Sequence, residues 1–294
     1  MTTPACPLCN SDRTVRHLPR HYHEVWRCLQ CDLHFVHPQP TQQDLEELYG
    51  KAYFHRDPDY EVGGYFDYEG DRANIERTFR ARLRYIEKVR PEKGRILDVG
   101  CAMGFFVDVA EDAGWSAYGL DISEHAVERA RLRHGDRVER GTFPEANPPA
   151  DEFDAITMWD YLEHTQNPRQ ELSRALDLLS EGGLLALTTP DVRTWPAKIM
   201  GHRWMHLKPQ EHLFYFSRRT LRRLLEEVGF RVLDIRSGGK FVSLELLLRR
   251  LRPYLPPMAP LVAQLLKIKR LTKVSMYIDS LDNILVLAEK PRSQ

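Results

Sequence analysis

The sequence has no net charge and no long apolar run. Lys and Arg together number 42, as do Asp and Glu, so the formal charge at pH 7 is zero. This balance gives no overall electrostatic attraction to nucleic acid or to an anionic membrane. No stretch of about 18 apolar residues is present, and the N-terminal MTTPACPLCN lacks the apolar centre of a signal peptide. We therefore expect a soluble, cytoplasmic protein that binds no nucleic acid.

Cysteine is scarce, but four of the five cysteines form two closely spaced pairs. Cys6 and Cys9 form one CxxC pair, and Cys28 and Cys31 form a second pair after 18 intervening residues. Cytosolic thiols stay reduced, which favours metal ligation over disulfides. Two such turns supply a closed tetrahedral shell of four thiolates, so the spacing predicts a structural Zn²⁺ ribbon over residues 1–40. So short a segment buries little core, and the ion would supply its folding energy.

One glycine is missing from what otherwise looks like a dinucleotide-binding loop. The stretch GRILDVGCAMGFFVDVAEDAGWSAYGLDIS covers residues 94–123. In a G-x-G-x-x-G fingerprint aligned on Gly100, the third glycine would fall on Phe105, which argues against NAD. The loop lies between an apolar strand and a helix that ends at Gly114. Backbone N–H groups and a helix N-terminus meet a ligand at such a position.

The order Asp98-Val-Gly100-Cys-Ala102-Met-Gly104 resembles motif I of class I S-adenosylmethionine (SAM)-dependent methyltransferases, with Ala102 in place of the middle glycine. The resemblance implies that SAM is the cofactor. Asp121, at the end of the second strand, would bind the ribose hydroxyls, as carboxylates do in dinucleotide folds. The resemblance implies further cofactor contacts from Cys101, Ile122, Thr142, Phe143, Trp159 and Asp160.

Strands and helices alternate along the rest of the chain. RILDVG, SAYGLD, VERGTF, FDAITMWD, LLALTTPD, RVLDIRS and NILVLAEKP are predicted strands, and NPRQELSRALDLLSEGG is a predicted helix with a glycine cap. This pattern predicts an α/β fold with a Rossmann-like, doubly wound, seven-stranded sheet. The resemblance implies that the last strand runs antiparallel. We divide the chain into a zinc ribbon, a connector with N-terminal helices at 41–94 and a methyltransferase domain at 95–294.

The first cluster with catalytic potential follows the fourth strand. Asp160, Glu163 and His164 resemble the D/E-x-x-E-H cluster of the ubiquinone-pathway O-methyltransferases. That resemblance implies that these three residues bind a divalent cation such as Mg²⁺. Asp160 lies one helical turn from Glu163 and His164, so the three side chains could converge. The alternative is that Asp160 borders the methionine part of SAM and that His164 caps or packs.

The second cluster, Glu211-His212 in KPQEHLFYFS, follows the fifth strand. It resembles the catalytic pair of the NDP-sugar C-methyltransferases, which also begin with a CxxC…CxxC module. The resemblance implies that His212 is the general base, since an unperturbed histidine has a pKa close to the working pH. Glu211 would orient His212, assist its charge or act on the substrate itself. The chain lacks the long C-terminal domain of that family, which keeps O-methylation open. The alternative is a structural turn whose aromatic residues seat the following helix.

Two further segments have less specific patterns. Residues 48–71 contain five tyrosines and read either as a lid over SAM or as a linker packed on the ribbon. Residues 240–273 contain eight Lys or Arg and one Glu between leucine-rich stripes, which predicts an amphipathic helical insert. This insert could cover the substrate cleft, touch a membrane surface or a lipidic substrate, or form a dimer contact.

The sequence therefore predicts methyl transfer from SAM to a small-molecule acceptor, such as a sugar-type or secondary-metabolite intermediate, at carbon or oxygen. His212, Glu211 and His164 are the candidate catalytic residues. One alternative is an RNA or protein methyltransferase that binds its macromolecule through the zinc ribbon. Another alternative is a SAM-binding module without catalysis.

Overall fold

A computed structural model describes the chain over residues 3–20, 23–54, 68–148, 150, 152–251, 264, 266 and 274–292. The strands are β1 (Thr14–Arg20), β2 (His23–Cys28), β3 (His34–His37), β4 (Arg95–Val99), β5 (Ser116–Asp121), β6 (Val138–Arg140), β7 (Phe153–Trp159), β8 (Leu179–Pro190), β9 (Phe214–Tyr215), β10 (Arg231–Ser237), β11 (Lys240–Ser243), β12 (Ser275–Ile278) and β13 (Asn283–Glu289). The α-helices are α1 (Gln42–Leu48), α2 (Lys51–Phe54), α3 (Arg72–Glu87), α4 (Phe105–Asp112), α5 (Glu124–His134), α6 (Pro168–Leu178), α7 (Trp195–Met200), α8 (Arg218–Val228) and α9 (Leu244–Leu251). Among the described residues, no helix is long and apolar enough to cross a membrane.

The central sheet has seven strands in the order β10-β13-β8-β7-β4-β5-β6. The pairs β4–β5, β4–β7, β5–β6 and β7–β8 are parallel, whereas β13 is antiparallel to both of its neighbours. The predicted seven-stranded, doubly wound α/β fold is therefore confirmed, including the antiparallel last strand. The carboxyl ends of β4, β5 and β7 meet at one edge, which is where such sheets bind ligands.

The predicted end of helix α6 was wrong. Asn167 caps the helix by accepting a hydrogen bond from the Gln170 N–H at 3.2 Å, and Pro168 fits the first turn because it needs no donor there. The helix ends at Leu178, and the chain enters β8 directly, so the glycine pair that follows lies in a strand. Both glycines bond to the chain just beyond β13, because the Gly182 N–H donates to the Lys290 oxygen at 3.0 Å and the Gly183 oxygen accepts from the Lys290 N–H at 2.9 Å. This pairing outweighs the local glycine signal for a helix end.

The cysteine module is joined to the main domain by a second sheet of order β1-β2-β3-β9. EVWRC and LHFVHP form the antiparallel hairpin of β2 and β3. Strand β9 comes from the methyltransferase region, begins two residues after His212 and pairs with β3. Cys31 and Phe35 share one apolar core with Leu213 and Phe214. The module therefore packs as part of the main domain rather than as a tethered unit.

Candidate active site

A cavity of about 1270 Å³ opens at the carboxyl ends of β4, β5 and β7. The predicted cofactor residues that line it are Asp98, Gly100, Cys101, Ala102, Asp121, Ile122, Thr142, Trp159 and Asp160. Residues from the connector, from α3 and from β11 and α9 form the other walls. Such a mixed polar and apolar cavity is typical of a small-molecule site.

The glycine-containing loop turns sharply between β4 and α4. Gly100 and Gly104 have φ of +76° and +78°, which favours glycine, and Ala102 also lies in the left-handed region at +47°. A Cβ at Gly100 would lie 2.7 Å from the ring of Tyr161, so the loop needs a residue without a side chain there. Gly104 immediately precedes the first residue of α4 and is not among the described residues that line the cavity.

Asp121 is held by the loop that it faces. Its two carboxylate oxygens accept hydrogen bonds from the backbone N–H of Ala102 and of Ser123, both at 2.8 Å. Burial raises the pKa of Asp121, whereas these N–H donors lower it. Each oxygen keeps a further lone pair, so the carboxylate can also accept two ribose hydroxyls.

Asp98 is buried at the end of β4 and accepts a hydrogen bond from the Thr157 hydroxyl at 2.6 Å. Burial raises the pKa of Asp98 to about 8, although this hydrogen bond opposes the shift. The carboxyl group is therefore mostly protonated at neutral pH and is available as a donor toward the cavity.

Of the two cofactor contacts predicted at the end of β6, Thr142 is among the described residues that line the cavity and Phe143 is not. Thr142 lines the cavity together with Pro144 and Glu145, and its hydroxyl donates to Glu145 at 2.9 Å. Phe143 is 1% exposed and packs in the apolar core rather than among the cavity-lining residues. Glu145 thus places a carboxylate at this edge of the cavity.

Arg82 lines the cavity and was missed by the sequence reasoning. It is 6% exposed, and its guanidinium carbon lies 5.0 Å from the ring centre of Trp159. Its Nε has no hydrogen-bond partner among the described residues. A buried guanidinium with an unused donor fits an anionic group of a ligand. Helical spacing could have indicated it, because Arg82 shares the buried face of α3 with Phe79, Leu83 and Ile86.

His164 borders the cavity beside the connector. Its Nδ1 lies 2.8 Å from the Tyr49 hydroxyl and 2.9 Å from the backbone oxygen of Glu211. Because a carbonyl oxygen only accepts, Nδ1 carries the proton and Nε2 keeps its lone pair. Burial lowers the pKa of His164, and Glu211 partly opposes this shift, so the ring is neutral near pH 7.

The side chains of Glu211 and His212 lie behind His164. Both are buried, at 1% and 6% exposure, and neither is among the described residues that line the cavity. The Nδ1 of His212 donates to the His206 backbone oxygen at 2.8 Å. Burial lowers the pKa of His212 well below its usual range. The His212 and His164 ring centres are 4.7 Å apart, so the two predicted clusters do meet.

The predicted divalent-cation ligands are arranged differently from the expectation. Glu163, His164 and His212, rather than Asp160, offer ligand atoms that lie within 4.8 Å of one another. Asp160 instead accepts a hydrogen bond from the Thr188 hydroxyl at 2.8 Å. Burial alone would raise the pKa of Asp160, but the positive charges of Arg82 and Lys240 lower it overall.

The four predicted zinc ligands converge. Cys6 and Cys31 have their sulfurs 3.5 Å apart, and those of Cys9 and Cys28 are 3.6 Å apart. All four Sγ atoms lie within 4.8 Å of one another, and three of the four residues are buried. Four sulfurs at about 2.3 Å from a tetrahedral ion would be about 3.8 Å apart, so the cluster fits zinc after small adjustments.

Parts of the connector and of the insert form the outer walls. Tyr49, Tyr53 and Tyr68 line the cavity, whereas Tyr60 and Tyr65 lie outside the described residues. Strand β11 and helix α9 contribute further lining residues: Lys240, Phe241, Val242, Ser243, Glu245, Leu246 and Arg249. Most of the insert beyond α9 lies outside the described residues.

Curated relatives of this chain are ubiquinone biosynthesis O-methyltransferases. The protein of Thiobacillus denitrificans is 30% identical over 117 residues, which are 37% of this chain and 50% of that protein. The protein of Dinoroseobacter shibae is 28% identical over 163 residues, which are 51% of this chain and 66% of that protein. The chain thus spans about half to two thirds of the length of these relatives.

Two solved structures with the same fold have low sequence identity to this chain. A SAM-dependent methyltransferase from Archaeoglobus fulgidus has a TM-score of 0.51 at 19% identity and covers 75% of this chain and 98% of that one. The [4+2]-cyclase SpnF has a TM-score of 0.50 at 20% identity and covers 82% of this chain and 86% of that one. These likenesses establish the fold but not the reaction.

The family follows from a match over more than half of the chain. A methyltransferase-domain family model matches residues 71–235, which include the Gly100–Gly104 loop, Asp121 and the Glu211-His212 pair. The chain therefore belongs to the methyltransferase domain family.

Proposed function

We propose that this protein transfers a methyl group from SAM to a small-molecule acceptor that binds in the same cavity. One observation carries the proposal: a single cavity is lined both by the SAM-type loop with Asp121 and by His164. Methyl transfer needs the acceptor atom in line with the sulfonium methyl, and a shared cavity permits that approach.

The described side chains support one orientation of SAM. Asp121 would bind the ribose hydroxyls, and Thr142 with Glu145 would border the adenine. Arg82 would bind the carboxylate of the methionine part, because its buried guanidinium otherwise lacks an acceptor for Nε. The sulfonium methyl would then point toward Asp160 and His164.

His164, rather than His212, is the proposed proton acceptor. The names of the curated relatives favour oxygen as the methylated atom. As the acceptor oxygen forms its bond to the methyl carbon, the carbon–sulfur bond breaks and its electron pair returns to sulfur. The acceptor proton passes to Nε2 of His164, the nitrogen left with a lone pair. Glu211 and His212 would support this ring from behind.

The walls of the cavity favour a compact acceptor with an apolar part. Tyr49, Tyr53, Phe79 and Phe241 line it, and α9 closes one side. Such a cavity suits an aromatic, sugar-type or short lipidic acceptor better than an RNA strand or a protein chain. The lining role of β11 and α9 favours a cleft cover for the start of the insert.

We also propose that Cys6, Cys9, Cys28 and Cys31 hold a structural Zn²⁺, which their convergence supports. A Mg²⁺ requirement is not part of the proposal. The groups that converge near the cavity include two imidazoles, whereas Mg²⁺ prefers oxygen ligands in octahedral geometry.

Transfer of labelled methyl from SAM into fractionated small-molecule extract, read by mass spectrometry, tests the function. We expect a labelled product whose yield falls at least about 100-fold in His164→Gln, the range for losing an acid–base group. His212→Gln should lose less. Label that enters RNA or protein instead would support the macromolecular alternative. Binding of SAM without any labelled product would support the non-catalytic alternative.

A further inference from the structure

The loop that carries Glu211 and His212 is held from both sides by backbone hydrogen bonds. The N–H of Leu213 donates to the backbone oxygen of Glu163 at 2.7 Å. The oxygen of Leu213 accepts from the N–H of Val36 in β3 at 2.9 Å. A continuous backbone connection therefore runs from the cysteine module through Leu213 to the residue that precedes His164.

The cysteines lie close to this connection. Cys28 ends β2, and its backbone N–H donates to the Leu33 oxygen at 2.9 Å just before β3 begins. Phe35 in β3 then pairs with Phe214 in β9. The four-cysteine cluster fixes the turn between β2 and β3, so an ion there would also fix where β3 presents its N–H groups.

The same loop determines which nitrogen of His164 has a lone pair. The Glu211 backbone oxygen lies 2.9 Å from Nδ1, and it requires a proton on that nitrogen. Without this carbonyl, Nδ1 would keep the Tyr49 hydroxyl, which can donate or accept, so both neutral tautomers would be populated. If the loop moved away, the tautomer with a lone pair on Nε2 would no longer be selected. A smaller fraction of the protein would then have His164 in the state that can accept a proton at Nε2.

We propose that the four-cysteine module is a positioning element of the active site, which holds the Glu211 carbonyl against His164 and so selects the Nδ1–H tautomer. This inference rests on the proposed role of His164. The four cysteines are not among the described residues that line the cavity, so the module would affect catalysis indirectly. The module acts through the backbone of Leu213 and Glu211.

Nitrogen-15 NMR of the histidine rings tests this proposal and does not require that the methyl-accepting substrate be known. In the zinc-loaded full chain, we expect His164 to be the Nδ1–H tautomer. After zinc removal with a chelator, His164 should become a mixture of tautomers. His134 offers an internal control, because its ring contacts Asp108 and Glu111 on α4, far along the chain from the module. Its signals should stay in place, and the affinity for S-adenosylhomocysteine should change less than twofold.

Val36→Pro provides a second test in case zinc removal unfolds the chain. The substitution removes the N–H that binds Leu213 while all four cysteines remain. We expect one zinc per chain, retained binding of S-adenosylhomocysteine, a mixed His164 tautomer and about tenfold slower methyl transfer. An unchanged His164 signal in zinc-free protein that still binds S-adenosylhomocysteine, or in zinc-loaded Val36→Pro, would overturn the proposal. If the wild type transferred no methyl group to any acceptor, that result would count against the proposed function. It would leave the present proposal intact, because the His164 tautomer is measured separately.

Discussion

The hydroxyl of Tyr49 lies 2.8 Å from Nδ1 of His164, and it brings the connector into contact with the proposed base. The backbone oxygen of Tyr49 also accepts a hydrogen bond from the Ser123 hydroxyl at 2.7 Å, next to the Asp121 carboxylate. One connector residue thus contacts both the proposed ribose end and the proposed acceptor end of the cavity. This arrangement supports the lid interpretation over that of a linker packed only on the ribbon.

Replacing Tyr49 with Phe should slow methyl transfer by about fivefold, because one hydrogen bond to the base is worth roughly 1 kcal/mol. The ring remains, so affinity for S-adenosylhomocysteine should change little. Steady-state rates and calorimetry measure the two effects. Tyr277→Phe, at a tyrosine that is 55% exposed, is the matched control. Equal rates of methyl transfer for both variants would show that the Tyr49 hydroxyl does not assist the base.

Ala102→Gly should stabilise the protein by about 0.5 kcal/mol. Ala102 has φ of +47°, where a residue with a Cβ is strained by about 1–2 kcal/mol. Glycine relieves this strain but costs about 0.4–1 kcal/mol through the freedom of the unfolded chain. The Ala102 N–H to Asp121 remains, so cofactor affinity should not fall. Urea unfolding measures the change, and a less stable variant would show that the alanine methyl group packs favourably.

The local parts of the site could be predicted from the sequence, whereas the parts built from distant segments could not. The turn at Gly100 and the carboxylate at Asp121 follow from a strand, a loop and a helix that are consecutive in the chain. Tyr49 meets His164 only because the chain returns across 115 residues. Sequence patterns specify the faces of elements but not which loops meet.

The same limit explains why the sequence favours His212 as the base and why it does not predict the β1-β2-β3-β9 sheet. Glu211-His212 reads as a catalytic pair in sequence, but β9 draws the following residues toward β3, and both side chains become enclosed. A two-residue strand leaves no periodic signal. Arg82 was overlooked because a charged residue on an apolar helix face reads as solvent-exposed unless a buried ligand site is already known.

Asp98 should make stability depend on pH. Its pKa is raised from an ordinary 3.8 to about 8 in the folded protein, so the folded state holds a proton that the unfolded chain releases. The bound proton therefore adds to the free energy of unfolding. This stabilisation is complete below about pH 4 and is lost as the pH rises toward 8, by at most about 1.4 kcal/mol per pH unit. Asp98→Asn should flatten that slope in urea unfolding between pH 5 and 8. Asp112→Asn, at an exposed position, should keep it.

If Asp98→Asn and the wild type lose stability in parallel over this range, the carboxyl group is ionised in the folded state. The nearby guanidinium of Arg82 would then outweigh burial, because it favours the charged carboxylate.

Arg82→Gln should distinguish the two ends of the cofactor. We expect S-adenosylhomocysteine to bind about 10- to 100-fold more weakly, the range for a charge-assisted hydrogen bond. Methylthioadenosine has the same adenosine but no amino-acid carboxylate, so its affinity should be nearly unchanged. Arg84→Gln is the control, since Arg84 is exposed on the same helix. Calorimetric titration of both ligands into the three proteins gives the comparison. An equal loss of affinity for both ligands would mean that Arg82 shapes the cavity through its contact with the Trp159 ring. An unaltered affinity for both ligands would mean that the guanidinium binds the methyl acceptor rather than the cofactor.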